Sequence, residues 1–314
     1  MLVHDNPCPV CTAPSARIVR LRAGYTAQRC SGCRTVFAAP MPSDTDLVDF
    51  YSGWMFALPP APLADRWRTH TFEGAGRVLA AAGELRGAPI ARALDFGGGL
   101  GFFAAGLARH GVTVDLFDLS APAREHARTA FTPITVHQTP QEALAAGPFD
   151  LILVNQVIEH VRDPVDFMRT IRPALAPDGL VIVTTPNNAM SDFAFRKDVL
   201  RRYAHVSAER GLMTAWRLVT NSWIALDPPR HLFAFNRRSL NEVLARAGYA
   251  VRHVTSYDLE NDPLGYPAYP DEGSGLYSRV LRHWRRVGGA IARIFDRKRN
   301  RRNTLAVFCS VAAV

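Results

Sequence analysis

The sequence predicts an α/β chain: a parallel sheet with helices on both faces, preceded by a small cysteine-stapled ribbon. Three observations carry this. Strand-like and helix-like patterns alternate from about residue 92 to residue 184. A glycine cluster, Gly97-Gly98-Gly99-Leu100-Gly101, stands between the first of those strands and its helix. Four cysteines near the N-terminus fall in the spacing C-x2-C-x18-C-x2-C.

Composition sets the frame. The chain has 314 residues, 48% apolar and 21% charged, which suits about two globular domains with a sizeable core. No apolar run approaches the roughly 20 residues needed to cross a bilayer. The first residues lack a basic start followed by an apolar stretch, so no secretory leader is expected and the expected location is cytoplasmic. The net charge of +9 is local. Residues 278–302 hold ten Arg or Lys and one acid, Asp296, which accounts for the whole excess. The remainder is neutral.

Cys8, Cys11, Cys30 and Cys33 open the chain. Two C-x-x-C turns supply four soft ligands for a tetrahedral zinc ion, and strands near 17–21 and 25–29 would bring the turns together. Disulfides or a redox pair are the competing readings. Four thiolates leave no open position, so the zinc is expected to be structural. The ribbon is expected over 1–40. Residues 41–87 form a helical connector, with Ser43 capping a helix to Tyr51 and a second helix over 63–85. The main domain is expected over 88–314.

Within it, strands are predicted at 92–96, 112–117, 134–137, 149–154 and 180–184, and helices at 102–109, 122–130 and 164–174. Residues 187–229 interrupt the rhythm. They read as a helical insertion rich in aromatics (Phe193, Phe195, Tyr203, Trp216, Trp223) and form the expected substrate lid. A helix at 239–247 and a strand at 250–254 follow. An amphipathic basic helix spans 275–302, and a strand closes the chain from Thr304. Cys309 reads as plain core.

The glycine loop admits two ligand classes. Gly99-Leu100-Gly101-Phe102-Phe103-Ala104 formally fits a dinucleotide fingerprint. Asp95, two residues before Gly97, argues against a pyrophosphate and for a ligand bearing an ammonium. Asp118 ends the second strand, where a carboxylate can accept ribose hydroxyls. Asp115 competes for that role, but Asp118 is better placed.

The runs 94–101, Asp118-Leu119-Ser120, 149–161 with its Glu159-His160-Val161, and 179–187 resemble the class I S-adenosylmethionine-dependent methyltransferases, small-molecule branch. The N-terminal cysteines resemble the zinc ribbon of some bacterial members. The resemblance implies a Rossmann-like seven-stranded sheet with its last strand antiparallel. It places Asp95, Gly97, Gly99 and Gly101 at the methionine end of S-adenosylmethionine. Asp118 falls at the ribose, Leu119 at the cofactor, Gln138 and Thr139 beside the adenine, and Asn155 facing the cofactor.

Two histidines are candidate bases. His231, in Pro228-Pro229-Arg230-His231-Leu232-Phe233, is similar to a catalytic histidine segment of sugar C-methyltransferases, although Arg230 stands where that segment has Glu. His160, after the fourth strand, is the second candidate. The expected reaction is methyl transfer to a small-molecule or glycan acceptor, O-methylation first, then C- or N-methylation. A nucleic-acid-modifying protein is disfavoured by the neutral body and by Asn155-Gln156-Val157-Ile158, where base methylation would want an Asn/Asp-Pro-Pro-aromatic motif. A nicotinamide-dependent dehydrogenase is disfavoured by Asp95. The basic helix over 276–302 is expected to pack on the sheet, with contact to an anionic membrane surface as the second use and nucleic acid as the third.

Overall fold

The computed structural model describes residues 7–21, 24–52, 61–187, 226, 228–257, 263 and 304–312. Two sheets organise them. The smaller holds β1 (Ser15–Arg20), β2 (Thr26–Cys30) and β3 (Val36–Ala39), all antiparallel, and adds β9 (Phe233–Ala234) at its edge. The hairpin β1–β2 sets Ser15 opposite Cys30, which brings the two cysteine turns to one end. Two helices follow, α1 (Asp44–Ser52) and α2 (Ala61–Arg86). Ser43 caps α1: its hydroxyl accepts the Asp46 N–H at 3.1 Å, while Asp46 accepts from the Ser43 backbone at 2.9 Å.

The larger sheet contains β4 (Arg92–Phe96), β5 (Thr113–Phe117), β6 (Ile134–Val136), β7 (Phe149–Asn155), β8 (Leu175–Pro186), β10 (Tyr249–Tyr257) and β11 (Thr304–Val311). Their spatial order is β10-β11-β8-β7-β4-β5-β6. All neighbours from β8 to β6 run parallel, whereas β11 is antiparallel to both β8 and β10. This is the seven-stranded Rossmann-like sheet with an antiparallel last strand. The chain reverses its winding between β4 and β7, and in open parallel sheets such a switch point opens the ligand crevice at the strands' carboxyl ends.

Both faces are buried. Along β7, Leu151 and Leu153 join α2 and the helix α3 (Phe102–Arg109), while Ile152 and Val154 face the other way. That second face packs α6 (Pro164–Ile171) and α7 (Arg237–Arg246). The alternation explains why every residue from Leu151 to Val154 is apolar. α4 (Ala121–Ala130) and α5 (Pro140–Ala145) complete the described helices.

Several elements differ from expectation. The helix predicted over 164–174 ends at Ile171 and tightens into a 3-10 turn at Arg172–Ala174, since Pro173 contributes no N–H to the ladder. β8 runs from Leu175 to Pro186, well beyond the predicted 180–184. β3, α5 and β9 were not anticipated. The ribbon is no isolated knuckle: β3 pairs with β9, with Phe37 opposite Phe233 and Val36 opposite Ala234. Cys8, Cys30, Cys33 and Phe37 lie in the same apolar cluster as Phe233, Phe235 and Val183. Among the described residues, no helix is long and apolar enough to cross a membrane.

Candidate active site

The glycine loop turns from β4 into α3 at the carboxyl edge of the sheet. Gly97 sits at φ +90°, and a Cβ there would stand 2.3 Å from Cγ2 of Val157. Gly101 caps α3 at φ +84°, and its Cβ would meet that of Ala127 at 2.7 Å. Neither position admits a side chain, so the bare backbone is a packing requirement as well as an opening for a ligand. Gly97 and Gly98 donate to the Phe117 carbonyl at 2.7 and 3.1 Å, which binds the loop to the end of β5.

Asp95 and Asp118 flank this loop. Asp95 is 2% exposed, and among the described residues its Oδ2 has no hydrogen-bond partner. Burial, and then the charge of Asp118, push its carboxyl up to about 7, against a smaller pull from the Ala104 N–H. Asp118 is better served. Its Oδ1 accepts the Ser120 N–H at 2.8 Å and its Oδ2 the Gly99 N–H at 2.9 Å. Burial still raises its carboxyl, opposed by those two N–H groups and by Arg124. Asp115, the competing residue, is engaged elsewhere: His137 Nε2 lies 2.6 Å from it and Arg92 3.4 Å.

The remaining residues expected at the cofactor are placed as follows. Leu119 follows Asp118 and stands 40% exposed. Thr139 is the N-cap of α5, its hydroxyl accepting the Glu142 N–H at 3.2 Å, and Glu142 in return accepts from Gln138 and Thr139. Asn155 ends β7 with its Oδ1 accepting the Thr184 hydroxyl at 2.5 Å. Gln156, which the sequence reading passed over, follows at φ +58° and donates from Nε2 to the same hydroxyl at 3.3 Å. A left-handed non-glycine residue at a strand end is locally strained, and such strain gathers at functional sites.

The two candidate bases are neighbours. The rings of His160 and His231 lie 4.8 Å apart, centroid to centroid. The motif after β7 explains the position of His160: Asp163 caps α6 by accepting from Val165 and Asp166 at 3.0 and 2.9 Å, and Pro164 takes the first helical position. Glu159 is fully buried, and its carbonyl accepts the N–H groups of Leu232 and Phe233 at 2.8 and 3.2 Å. This ties the His231 segment to the turn after β7. Glu159, His160 and His231 offer ligand atoms within 4.8 Å of one another, a set that could hold a cation. Tyr51 reaches the same cluster from α1.

The four ribbon cysteines also converge, with all four sulfurs within 4.8 Å of one another. Cys8 and Cys33 are 3.6 Å apart, and Cys11 and Cys30 3.4 Å. These separations far exceed a disulfide bond of about 2.05 Å and approach the S···S edge of about 3.8 Å in a tetrahedral zinc–thiolate site. The Val10 and Gly32 N–H groups point to the sulfurs of Cys8 and Cys30 at 3.4 and 3.3 Å. Cys309 is buried in β11 with its S–H on the Val181 carbonyl, as a core residue. The expected lid aromatics and the basic helix over 276–302 lie outside the described residues.

Known methyltransferases are similar to this chain. The chain is 39% identical over 115 residues to a ubiquinone biosynthesis O-methyltransferase of Caulobacter sp. strain K31, covering 34% of this chain and 45% of that protein. It is 32% identical over 180 residues to one from Cereibacter sphaeroides, covering 55% and 69%. Against the first of these relatives the chain spans about half of the relative's length. Among solved structures, the plantazolicin methyltransferase BpumL in complex with SAH aligns over 87% of this chain and 91% of its own, at 11% identity and a TM-score of 0.46. A methyltransferase from Mesorhizobium loti aligns over 75% and 97%, at 20% identity and a TM-score of 0.44. The profile described as "Methyltransferase domain" matches residues 67–254, more than half of the chain and the whole stretch from α2 through most of β10, so this chain belongs to the methyltransferase domain family.

Proposed function

We propose that the chain is an S-adenosylmethionine-dependent methyltransferase acting on a hydroxyl of a small-molecule or glycan acceptor. One observation carries the cofactor reading: a buried aspartate, Asp95, with an oxygen unserved among the described residues, beside a glycine loop whose other flank is a second buried aspartate, Asp118. Two carboxylates suit a ligand with an ammonium at one end and a diol at the other. Asp95 would repel a pyrophosphate, which disfavours the dinucleotide alternative. The relatives' name favours oxygen as the methylated atom.

S-Adenosylmethionine, when bound, supplies a methyl group on a positively charged sulfur. The chain's residues bind and orient. Gly97, Gly99 and Gly101 let the backbone approach, Asp95 pairs with the amine, and Asp118 accepts the ribose hydroxyls. Leu119 borders the cofactor, and Gln138 and Thr139 flank the adenine through backbone that the α5 cap holds still. Asn155, fixed by Thr184, borders the cofactor at the next strand end. His231 and His160 are the candidate bases for the proton of the acceptor hydroxyl. Cys8, Cys11, Cys30 and Cys33 hold a structural zinc ion, whose work is to fasten the ribbon that pairs with β9.

Calorimetry tests the cofactor. S-Adenosylmethionine is expected to bind in the micromolar range and nicotinamide dinucleotide not at all; the opposite pattern removes the proposal. Transfer of a labelled methyl group to a panel of phenols, catechols and sugars then tests the acceptor class.

A further inference from the structure

A side chain of the N-terminal unit, Tyr51, reaches His160. Tyr51 lies on α1, 109 residues before His160, and its ring meets the imidazole edge-on at 5.6 Å. Its Oη is 2.7 Å from His160 Nδ1 and 3.0 Å from the Arg230 carbonyl oxygen. His160 Nδ1 is itself 2.7 Å from that carbonyl oxygen. Three polar atoms thus close a triangle, and only certain proton arrangements satisfy it.

A carbonyl oxygen accepts and never donates. An unprotonated ring nitrogen at 2.7 Å from it would set lone pair against lone pair. As long as the ring keeps this rotation, the proton must therefore sit on Nδ1 and point at the Arg230 carbonyl. Tyr51 completes the triangle by donating its O–H to the second lone pair of the same carbonyl, while its oxygen takes a share of the Nδ1–H. In the neutral ring the lone pair then belongs to Nε2, the nitrogen 3.8 Å from the buried Glu159 carboxylate, on the ring that faces His231.

We infer that Tyr51 is a positioning residue for His160: with the Arg230 carbonyl it holds the imidazole in the Nδ1–H tautomer and keeps Nε2 as the proton-accepting nitrogen. A base needs its lone pair aimed and its tautomer fixed before the substrate arrives. The carbonyl alone fixes one direction. The tyrosine adds a second contact to the same N–H and stops the ring from turning about its Cβ–Cγ bond. The carbonyl is held in turn, because the residues after Arg230 hydrogen-bond to Glu159 and to β3, with the Ala38 N–H on the Leu232 carbonyl at 2.8 Å. The ribbon and α1 therefore grip one histidine segment from two sides. The catalytic part of this inference rests on the methyltransferase reading; the tautomer does not.

Nitrogen-15 spectra of the imidazole side chains, assigned with His160→Gln, test it in the cofactor-free protein. Wild type is expected to show His160 as the Nδ1–H tautomer, and Tyr51→Phe, which keeps the ring and removes only the hydroxyl, to show a mixture. In turnover, Tyr51→Phe is expected to lower kcat about tenfold, with acceptor KM and cofactor affinity within about twofold of wild type. A wild-type Nε2–H tautomer overturns the inference without any variant. So does a Tyr51→Phe protein with both the wild-type spectrum and the wild-type kcat. If no acceptor is ever methylated by wild type, the methyltransferase reading falls, and the spectra alone decide what Tyr51 does to His160.

Discussion

Asp118 Oδ2 accepts the backbone N–H of Gly99 at 2.9 Å, so the carboxylate that ends one strand is tied to the loop that follows its neighbour. The bond does two things. It gives the loop a fixed anchor between two glycines with positive φ, and it aims the carboxylate across the switch point of the sheet. With Ser120 on the other oxygen, Asp118 keeps further lone pairs on each oxygen for a diol.

Replacing Asp118 by Ala removes both the diol acceptors and the loop anchor. S-Adenosylmethionine affinity is expected to fall by roughly 1–3 kcal/mol, the cost of leaving buried hydroxyls unpaired. Calorimetry on the folded variant checks this. Unchanged affinity would place the ribose elsewhere.

Asp95 makes cofactor binding depend on pH. In the ligand-free protein its carboxyl is raised from the ordinary 3.8 to about 7, first by burial and then by Asp118. A raised carboxyl favours the folded, ligand-free state at low pH, and that contribution is lost as pH climbs from about 4 through about 7. An ammonium ligand needs the ionised form. Binding below pH 7 must therefore release a proton, and affinity should rise about fivefold from pH 6 to pH 7, before the ligand's own ammonium titrates near pH 8. Titrations at pH 6 in buffers of different ionisation heat count that proton. Asp95→Asn should bind more weakly and with no such pH dependence. A flat affinity in wild type would show that no ammonium meets Asp95.

The ribbon's sulfurs and β9 make a coupled prediction. Cys30→Ser should carry far less than one zinc per chain by metal analysis. Because β3 holds Phe233 and Ala234 by backbone pairing, amide exchange in residues 232–235 should accelerate in the same variant. Wild-type protein purified without chelators that carries no metal would end the zinc reading. Faster exchange in the ribbon alone would show that β9 is held by the larger domain instead.

What the sequence disclosed and what it hid divide by range. β4 and α3 were predicted at their observed limits, because a glycine cluster punctuates two strongly patterned segments. Asp118 was preferable to Asp115 from its place at a strand end, and the structure spends Asp115 on His137 and Arg92. α5 was legible and missed: Thr139-Pro140-Gln141-Glu142 is a capping box with proline at the first helical position, but it was read only as a flank for adenine. β9 was not legible. Two residues have no periodicity, and their partner strand lies nearly two hundred positions earlier. Tyr51 was hidden for the same reason, since no local pattern announces a contact with His160.

The closeness of His160 and His231 changes what alanine substitutions should show. Sequence reasoning set the two as rivals, with His231 ahead. Rings 4.8 Å apart share surroundings, and a proton taken by one is felt by the other. If they serve proton removal as a unit, His231→Ala and His160→Ala should each cut turnover about 10²-fold with cofactor affinity nearly unchanged. The double variant should then be little worse than either single one, since residues acting together are not additive. Thermal unfolding of each variant separates this from collapse of the 230–235 segment, because a structural loss would lower the melting temperature along with turnover. Two multiplying effects would mean separate tasks. Wild-type turnover in both single variants would mean that positioning of the acceptor suffices and that the histidines only fasten the segment to the sheet.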